Sequence, residues 1–256
     1  MQLSDNKVEL VARPNKVVYR DGDRIVKVFN SSKPAGDVFA EALNLARVGK
    51  TAIKHPAILE VSQLEDGSWA LATEYVPGTT MAELMAEASD EEYDALLEQF
   101  VDLQIQIQST PAPALLSSQK DKVARMIGKA KTVDASTRYD LQMRVARTGA
   151  GIRVCHGDFN PSNVIVTDEG ELYVCDWAHV TQGLPAADAA MTYILLAVDS
   201  VARADKYLAL FCEKAHVPVQ EIQYWLPVVA AAELSRGRAE NEEFLTPWIE
   251  SSNDFE

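Results

Sequence analysis

His156, Gly157 and Asp158 follow an apolar stretch, Asn163 comes five residues after Asp158, and a second apolar stretch ends at Asp176. A histidine, two carboxylates and an amide in this order are the parts needed to activate a hydroxyl and to hold magnesium. Residues 163–167 and 171–175 are rich in β-branched or apolar side chains and are separated by Asp168-Glu169-Gly170, a hairpin signal. Pairing about residues 169 and 170 sets Asn163 opposite Asp176, so that an amide oxygen and a carboxylate converge. Hard oxygen ligands of this kind suit Mg²⁺, which keeps several waters and takes its other ligands from substrate phosphates. Phosphoryl transfer needs a carboxylate to orient and deprotonate the hydroxyl, with cations on the phosphates. Asp158, in the loop that leads into the hairpin, can serve as that carboxylate.

The elements that must position these groups can be read along the chain. Residues 16–19 and Arg24–Phe29 form short strands joined by Asp21-Gly22, and the second strand contains Lys27 between two valines. Pro34 opens a helical run in which Phe39, Ala42, Leu43 and Ala46 recur at three- and four-residue spacing, with Glu41 on a neighbouring face. Ile58–Gln63 and residues 68–75 form another hairpin through Glu65-Asp66-Gly67, and Glu74-Tyr75-Val76-Pro77-Gly78 then breaks the sheet. The rest reads as mainly helical. Thr80 with Glu83 and Ser89 with Glu92 are capping boxes, and helical candidates cover residues 119–130, 136–147, 186–200, 203–215, 218–235 and 240–250.

His-Gly-Asp-x-x-x-x-Asn followed by Asp-Trp resembles the aminoglycoside phosphotransferase and choline kinase-like group, the small-molecule branch of the protein-kinase-like fold. The resemblance implies an α+β bilobal fold, with a small N-lobe of antiparallel sheet plus one helix and a larger, mainly helical C-lobe. It places the lobes at residues 1–76 and 77–256, with a hinge at 74–78. By the same resemblance Asp158 is the catalytic base, Asn163 and Asp176 bind Mg²⁺, and His156 supports the backbone of the catalytic loop. Lys27 and Glu41 correspond to the strand lysine and helix glutamate that hold the donor phosphates. Glu74 and Val76 correspond to the hinge residues whose backbone meets the adenine. Asp188 corresponds to an aspartate that braces the catalytic loop at a helix start.

One expected element departs from the protein-kinase pattern. No Gly-x-Gly-x-x-Gly occurs near residues 16–24, where Gly22 stands alone, and the turn from Arg20 to Arg24 is the candidate to approach the triphosphate. After Asp176, Trp177-Ala178 replaces Phe-Gly, eleven residues separate Asp176 from Asp188, and no Ala-Pro-Glu follows. That leaves little platform for a peptide. A compact atypical protein kinase and a nucleotide-binding protein without catalysis are the alternatives; the presence of Lys27, Asp158 and Asp176 speaks against the second.

The 256 residues, 47% of them hydrophobic, can bury a substantial core. No apolar run reaches the length of a membrane span, and the N-terminus lacks the basic and apolar regions of a signal peptide. Three cysteines without metal-ligand spacing point to a reducing cytoplasm. Residues 1–76 carry ten Lys/Arg and ten Asp/Glu, so the whole net charge of −14 lies in residues 77–256. An acidic lobe attracts a cationic acceptor such as an aminoglycoside, choline or another amine alcohol, and repels nucleic acid. Trp225 and Trp248 read first as core-packing residues and second as an aromatic wall that would suit an amine, and the acidic group Glu240, Glu242 and Glu243 is a candidate for amine contact. The sequence thus predicts an Mg²⁺-requiring transfer of the γ-phosphoryl group from ATP, or alternatively GTP, to a hydroxyl of a small molecule.

Overall fold

Short β-branched strands punctuated by glycine turns, then amphipathic helices opened by Ser and Asp caps, dominate the chain in that order. A computed structural model describes residues 1–237 and 241–250. The elements are β1 (Val8–Arg13), β2 (Lys16–Asp21), β3 (Arg24–Phe29), α1 (Ala35–Val48), β4 (Ile58–Gln63), β5 (Trp69–Glu74), β6 (Thr79–Thr80), α2 (Met81–Glu87), α3 (Asp90–Ser109), α4 (Gln119–Lys129) and α5 (Ala135–Arg147). There follow β7 (Arg153–Cys155), β8 (Val164–Val166), β9 (Leu172–Val174), β10 (Thr181–Gly183), α6 (Pro185–Asp199), α7 (Val201–Ala215), α8 (Val219–Gln223), α9 (Leu226–Leu234) and α10 (Glu242–Glu250).

The elements gather into two units, Met1–Ala86 with Pro161–His179, and Glu87–Asn160 with the described residues from Val180 onward. The lobe boundary expected at residue 76 therefore falls inside the first unit. The reason is backbone pairing: Thr79 and Thr80 of β6 pair with β8, which pairs with β9. The N–H of Val174 also donates to the Lys54 carbonyl at 3.0 Å.

In the first unit five antiparallel strands lie in the order β1-β2-β3-β5-β4. β5 is flanked on both sides, which is why its Ala70, Leu71 and Ala72 are all buried. Leu71 packs with Phe29, Val38 and Ala42 under α1, while Ala70 and Ala72 join Val26 on the other face, the period-two division of a strand. The face of α1 differs from the one expected. Its buried residues are Val38, Glu41, Ala42, Leu45 and Val48, whereas Phe39 and Leu43 remain half exposed. The helix is rotated so that Glu41 turns inward, and Phe39 rests edge-on against Trp69 with ring centroids 4.9 Å apart.

One strand is added to the sequence reading and one hairpin register is corrected. β1, over residues for which the sequence reading made no assignment, is an edge strand whose register shifts between Glu9 and Val11. The β8–β9 hairpin is one residue out of the expected register: Val164 faces Val174, and the Cys175 N–H donates to the Asn163 carbonyl at 2.8 Å. Asn163 thus lies opposite Cys175 rather than Asp176. The cause is a three-residue loop, closed by Thr167 N–H to Glu171 O at 3.0 Å, with Gly170 at φ 77°, the turn-plus-bulge form of a hairpin.

The second unit is mainly helical. Ser89 and Glu92 close a capping box on α3, and buried Gln104 of α3 links Thr192 of α6 at 2.9 Å to the Tyr207 hydroxyl of α7 at 2.6 Å. α9 is buried from Leu226 to Glu233. The single helix expected over 218–235 is two helices, because Pro227 cannot donate to a preceding turn and begins α9 instead. Trp225 is buried, whereas Trp248 is partly exposed and packs edge-on to Tyr193. Glu240 lies outside the described residues; Glu242 and Glu243 are in the first turn of α10.

Candidate active site

Strand β3 carries Lys27 in the middle of the sheet, facing the inward side of α1. Its Nζ lies 2.8 Å from Glu41 Oε1 and 3.0 Å from Asp176 Oδ1. Burial disfavours this ammonium, but Asp176 and Glu41 outweigh burial and raise its pKa above the ordinary lysine value. Asp176 follows β9 at φ 57°, a left-handed conformation uncommon for a residue with a Cβ. That turn takes its carboxylate off the strand line and into contact with lysines. Burial again opposes the charge, and Lys27 with Lys16 overcomes it, holding the carboxyl below the usual carboxylate range.

These residues line a cavity of about 440 Å³ within the first unit. Apolar walls come from Leu10 and Val11 of β1, Ile25, Leu45, Leu71 and Ile165. Polar groups stand at Lys27, Glu41, Glu74, Thr80 and Asp176, and Val76 and Gly78 complete the segment that follows β5. A pocket with apolar walls and few placed polar groups is the ordinary form of a small-ligand site. Gly78 has φ 153°, and a Cβ there would collide with the Val166 carbonyl and come within 2.9 Å of Ile165 Cγ2. Only glycine lets the backbone cross β8 at this point.

The turn from Arg20 to Arg24 is not beside Lys27. Arg24 faces Glu74 in the β3–β5 register, the Tyr75 N–H donates to Asp23 O at 3.0 Å, and Arg20 stands over the Tyr75 ring at 4.0 Å. Because β1 precedes it, β2 begins after a tight Pro14-Asn15 turn, and the residue that reaches Asp176 is Lys16, with Nζ 3.1 Å from Oδ2. Lys16 thus reaches Asp176 from the start of β2, while Arg20, at the other end of this six-residue strand, also lines the cavity.

In the second unit His156 is wholly buried after β7, and its Nδ1 accepts the Asp158 N–H at 3.2 Å. Asp188, 2% exposed in the first turn of α6, accepts the Gly157 N–H at 2.7 Å and the Gln108 side-chain amide at 3.0 Å. Phe159 stacks on Phe100 with centroids 4.4 Å apart, anchoring the loop to α3. Arg236, after α9, donates to Asp158 Oδ1 at 2.7 Å. Sequence spacing gave no sign of this contact, since 78 residues separate the pair.

A sequence profile described as "Phosphotransferase enzyme family" matches residues 13–221. The chain belongs to that family. As a phosphotransferase of the kinase type it acts on hydroxyl groups. Among curated proteins nothing matches the chain. Its fold resembles a thermostable mutant of aminoglycoside phosphotransferase APH(4)-Ia in apo form, with TM-score 0.71, 13% identity, and 96% of this chain and 93% of that one covered. A mutant of the same protein in ternary complex with AMP-PNP and hygromycin B gives TM-score 0.69 at 14% identity, with 95% and 90% covered. The GDP and kanamycin complex of APH(2")-IIIa gives 0.59 at 16% identity, with 99% and 93% covered. The phosphotransferase thus has the α+β, protein-kinase-like fold.

Among the described residues of the phosphotransferase, no group of three or more His, Cys, Asp and Glu is placed to hold a metal ion. Asn163 and Asp176 nevertheless fit Mg²⁺. They offer an amide and a carboxylate on adjoining ends of one hairpin, and the Asp176 carboxylate is a cation-seeking anion that already faces two ammoniums. One or two protein oxygens with substrate phosphates are the usual magnesium set. No described helix is long and apolar enough to cross a membrane.

Proposed function

We propose that the phosphotransferase moves the γ-phosphoryl group of a nucleoside triphosphate, ATP or GTP, to the hydroxyl of a small molecule. The observation that carries this reading is the convergence of Lys27, Glu41 and Asp176 on one nucleotide-sized cavity. Lys27, held by Glu41, is oriented to pair with the donor phosphates. The backbone at Glu74 and Val76 edges the adenine end, and Lys16 adds a second cation at the phosphate end. Mg²⁺ on Asn163 and Asp176 would supply charge neutralisation of the phosphates. Asp158 orients the acceptor hydroxyl and takes its proton as the phosphoryl group departs in line, while His156 and Asp188 hold the loop that carries it. The three cysteines, few and without metal-ligand spacing, support a reducing cytoplasm as its place.

For the acceptor, the acidic surplus beyond residue 76 and the hygromycin B and kanamycin of the structural neighbours favour a cationic hydroxyl compound, an aminoglycoside or amine alcohol. One observation favours a second reading. Arg236 lies against Asp158, and Lys122 of α4 interacts electrostatically with both, so positive charge adjoins the base and a neutral or anionic acceptor is accommodated.

A donor-depletion screen against aminoglycosides, amine alcohols, sugars, hydroxy acids and nucleosides tests the reading. Asp158→Ala must abolish transfer to the acceptor found; undiminished turnover removes Asp158 as base. Asp176→Ala must weaken Mg·ATP binding in calorimetry, and equal affinity with and without the substitution removes the metal assignment.

A further inference from the structure

Arg236 spans three acceptors that the chain brings together from distant positions. Nη1 lies 2.7 Å from Asp158 Oδ1, Nη2 donates to the Gly157 carbonyl at 3.0 Å, and Nε faces Glu233 Oε2 at 2.9 Å. The arginine side chain is 11% exposed and the Glu233 side chain 0%. Glu233 is the last buried residue of α9, one turn before Arg236. A carboxylate buried there demands a compensating partner, and the guanidinium of Arg236 is one.

The other end of the contact is equally constrained. Gly157 stands at φ 75°, where a Cβ would strain the backbone. Asp188 holds its N–H at 2.7 Å and Arg236 holds its carbonyl. The peptide groups on either side of Gly157 are thus clamped by residues of two different helical segments. Asp158 is fixed three times, through its N–H to His156 Nδ1, its carbonyl to the Asn160 amide at 2.9 Å, and its carboxylate to Arg236.

We propose that Arg236 is a positioning residue of the active site, setting the rotamer of Asp158 and keeping its carboxylate ionised for the acceptor hydroxyl. The inference rests on the reading of Asp158 as the base. A guanidinium suits the task because its planar fork reaches Asp158, Gly157 and Glu233 at once, which the point charge of a lysine does not. Among the described residues, the charged groups around Asp158 include Arg236 with its partner Glu233 and Lys122 of α4, which also senses Arg125, with His156 and Asp188 at the loop backbone. Loss of Arg236 removes a cation in contact, so the Asp158 carboxylate becomes easier to protonate.

The first test needs no acceptor. The full chain, labelled with ¹³C at aspartate carboxyls, is titrated by NMR as wild type, Arg236→Lys and Arg236→Met, with the Asp158 signal assigned by its loss in Asp158→Asn. The Asp158 midpoint rises by about one pH unit in Arg236→Met, and Arg236→Lys restores part of the shift. A folded Arg236→Met or Arg236→Lys protein with the wild-type midpoint overturns the proposal. In turnover with Mg·ATP and the acceptor from the screen, Arg236→Met lowers kcat about 10- to 100-fold with KM for ATP nearly unchanged, and moves the acid limb of the profile to higher pH. Wild-type kcat with an unmoved limb also overturns it. Full turnover by Asp158→Asn would instead remove the base assignment, while the titration still reports whether Arg236 governs that carboxylate.

Discussion

Lys16 Nζ lies 3.1 Å from Asp176 Oδ2, across 160 residues of sequence, while Lys27 holds the other carboxylate oxygen at 3.0 Å. Asp176 is thus matched by two ammoniums. In the proposed reading Asp176 would hold the metal and both lysines would meet donor phosphate oxygens. Lys16→Met should therefore weaken Mg·ATP binding by about tenfold, the worth of one charge-assisted hydrogen bond. Isothermal calorimetry with Mg·AMP-PNP measures it; unaltered affinity would leave Lys16 as a mere counter-ion.

Glu41 is the internal support of Lys27, 5% exposed and also 3.6 Å from Lys33. Glu41→Gln keeps the volume and removes the charge. The variant should raise KM for ATP several-fold and lower kcat, because the glutamine oxygen can still accept from Lys27 but no longer offers it a countercharge, and the ammonium is less well aimed at phosphate. A steady-state comparison with Lys27→Met, expected to lose at least about 100-fold in kcat/KM, or ~2.7 kcal/mol, ranks the two roles.

Gly78 lets the segment after β5 run against β8, where a side chain would meet the Val166 carbonyl. Gly78→Ala should destabilise the protein by about 2–4 kcal/mol through backbone displacement and a strained φ. It should also reduce nucleotide affinity, since Gly78 and Ile165 both line the cavity. Urea denaturation and nucleotide titration on the same sample check both. Gly36 is the control: a Cβ there meets nothing within 4 Å, so Gly36→Ala should be tolerated.

Lys122 of α4 is a desolvated lysine with two arginines and Asp158 nearby. Burial lowers its pKa first of all, Arg236 and Arg125 add to the effect and Asp158 opposes it, the result being about 7. A lysine whose folded value lies below its unfolded one binds its proton more tightly in the unfolded chain. Stability from this group therefore increases as pH rises from about 7 towards the ordinary lysine value of roughly 10.4, and is least below 7. The melting temperature of wild type should climb relative to Lys122→Met over that window. Parallel melting curves for the two proteins would refute the assignment.

The residues of the proposed site are legible in the sequence wherever the pattern that marks them is local. Asp158, Asn163 and Asp176 stand at fixed spacings around one hairpin, and Lys27 lies between valines in a strand bounded by glycine and proline. Turn chemistry and side-chain period reveal such segments because they act over a few residues. The reading failed by one residue at β8–β9, where Asp168-Glu169-Gly170 serves either a two- or a three-residue loop until hydrogen bonds choose. On α1, periodicity selected the larger hydrophobes Phe39 and Leu43, yet the inward face is the one that brings Glu41 to Lys27.

Residue types and their order along the chain supply the carboxylates, amide and lysine of the proposed site and the succession of strands and helices that present them. Which cations answer those carboxylates is a matter of packing. Lys16 reaches Asp176 because an unforeseen edge strand shifts the first turn to Pro14-Asn15, and Arg236 reaches Asp158 because buried α9 ends beside the loop. Coulombic and hydrogen-bond partners are selected by distance in space, and along the chain these pairs are 160 and 78 residues apart. No local pattern encodes such a separation; packing does.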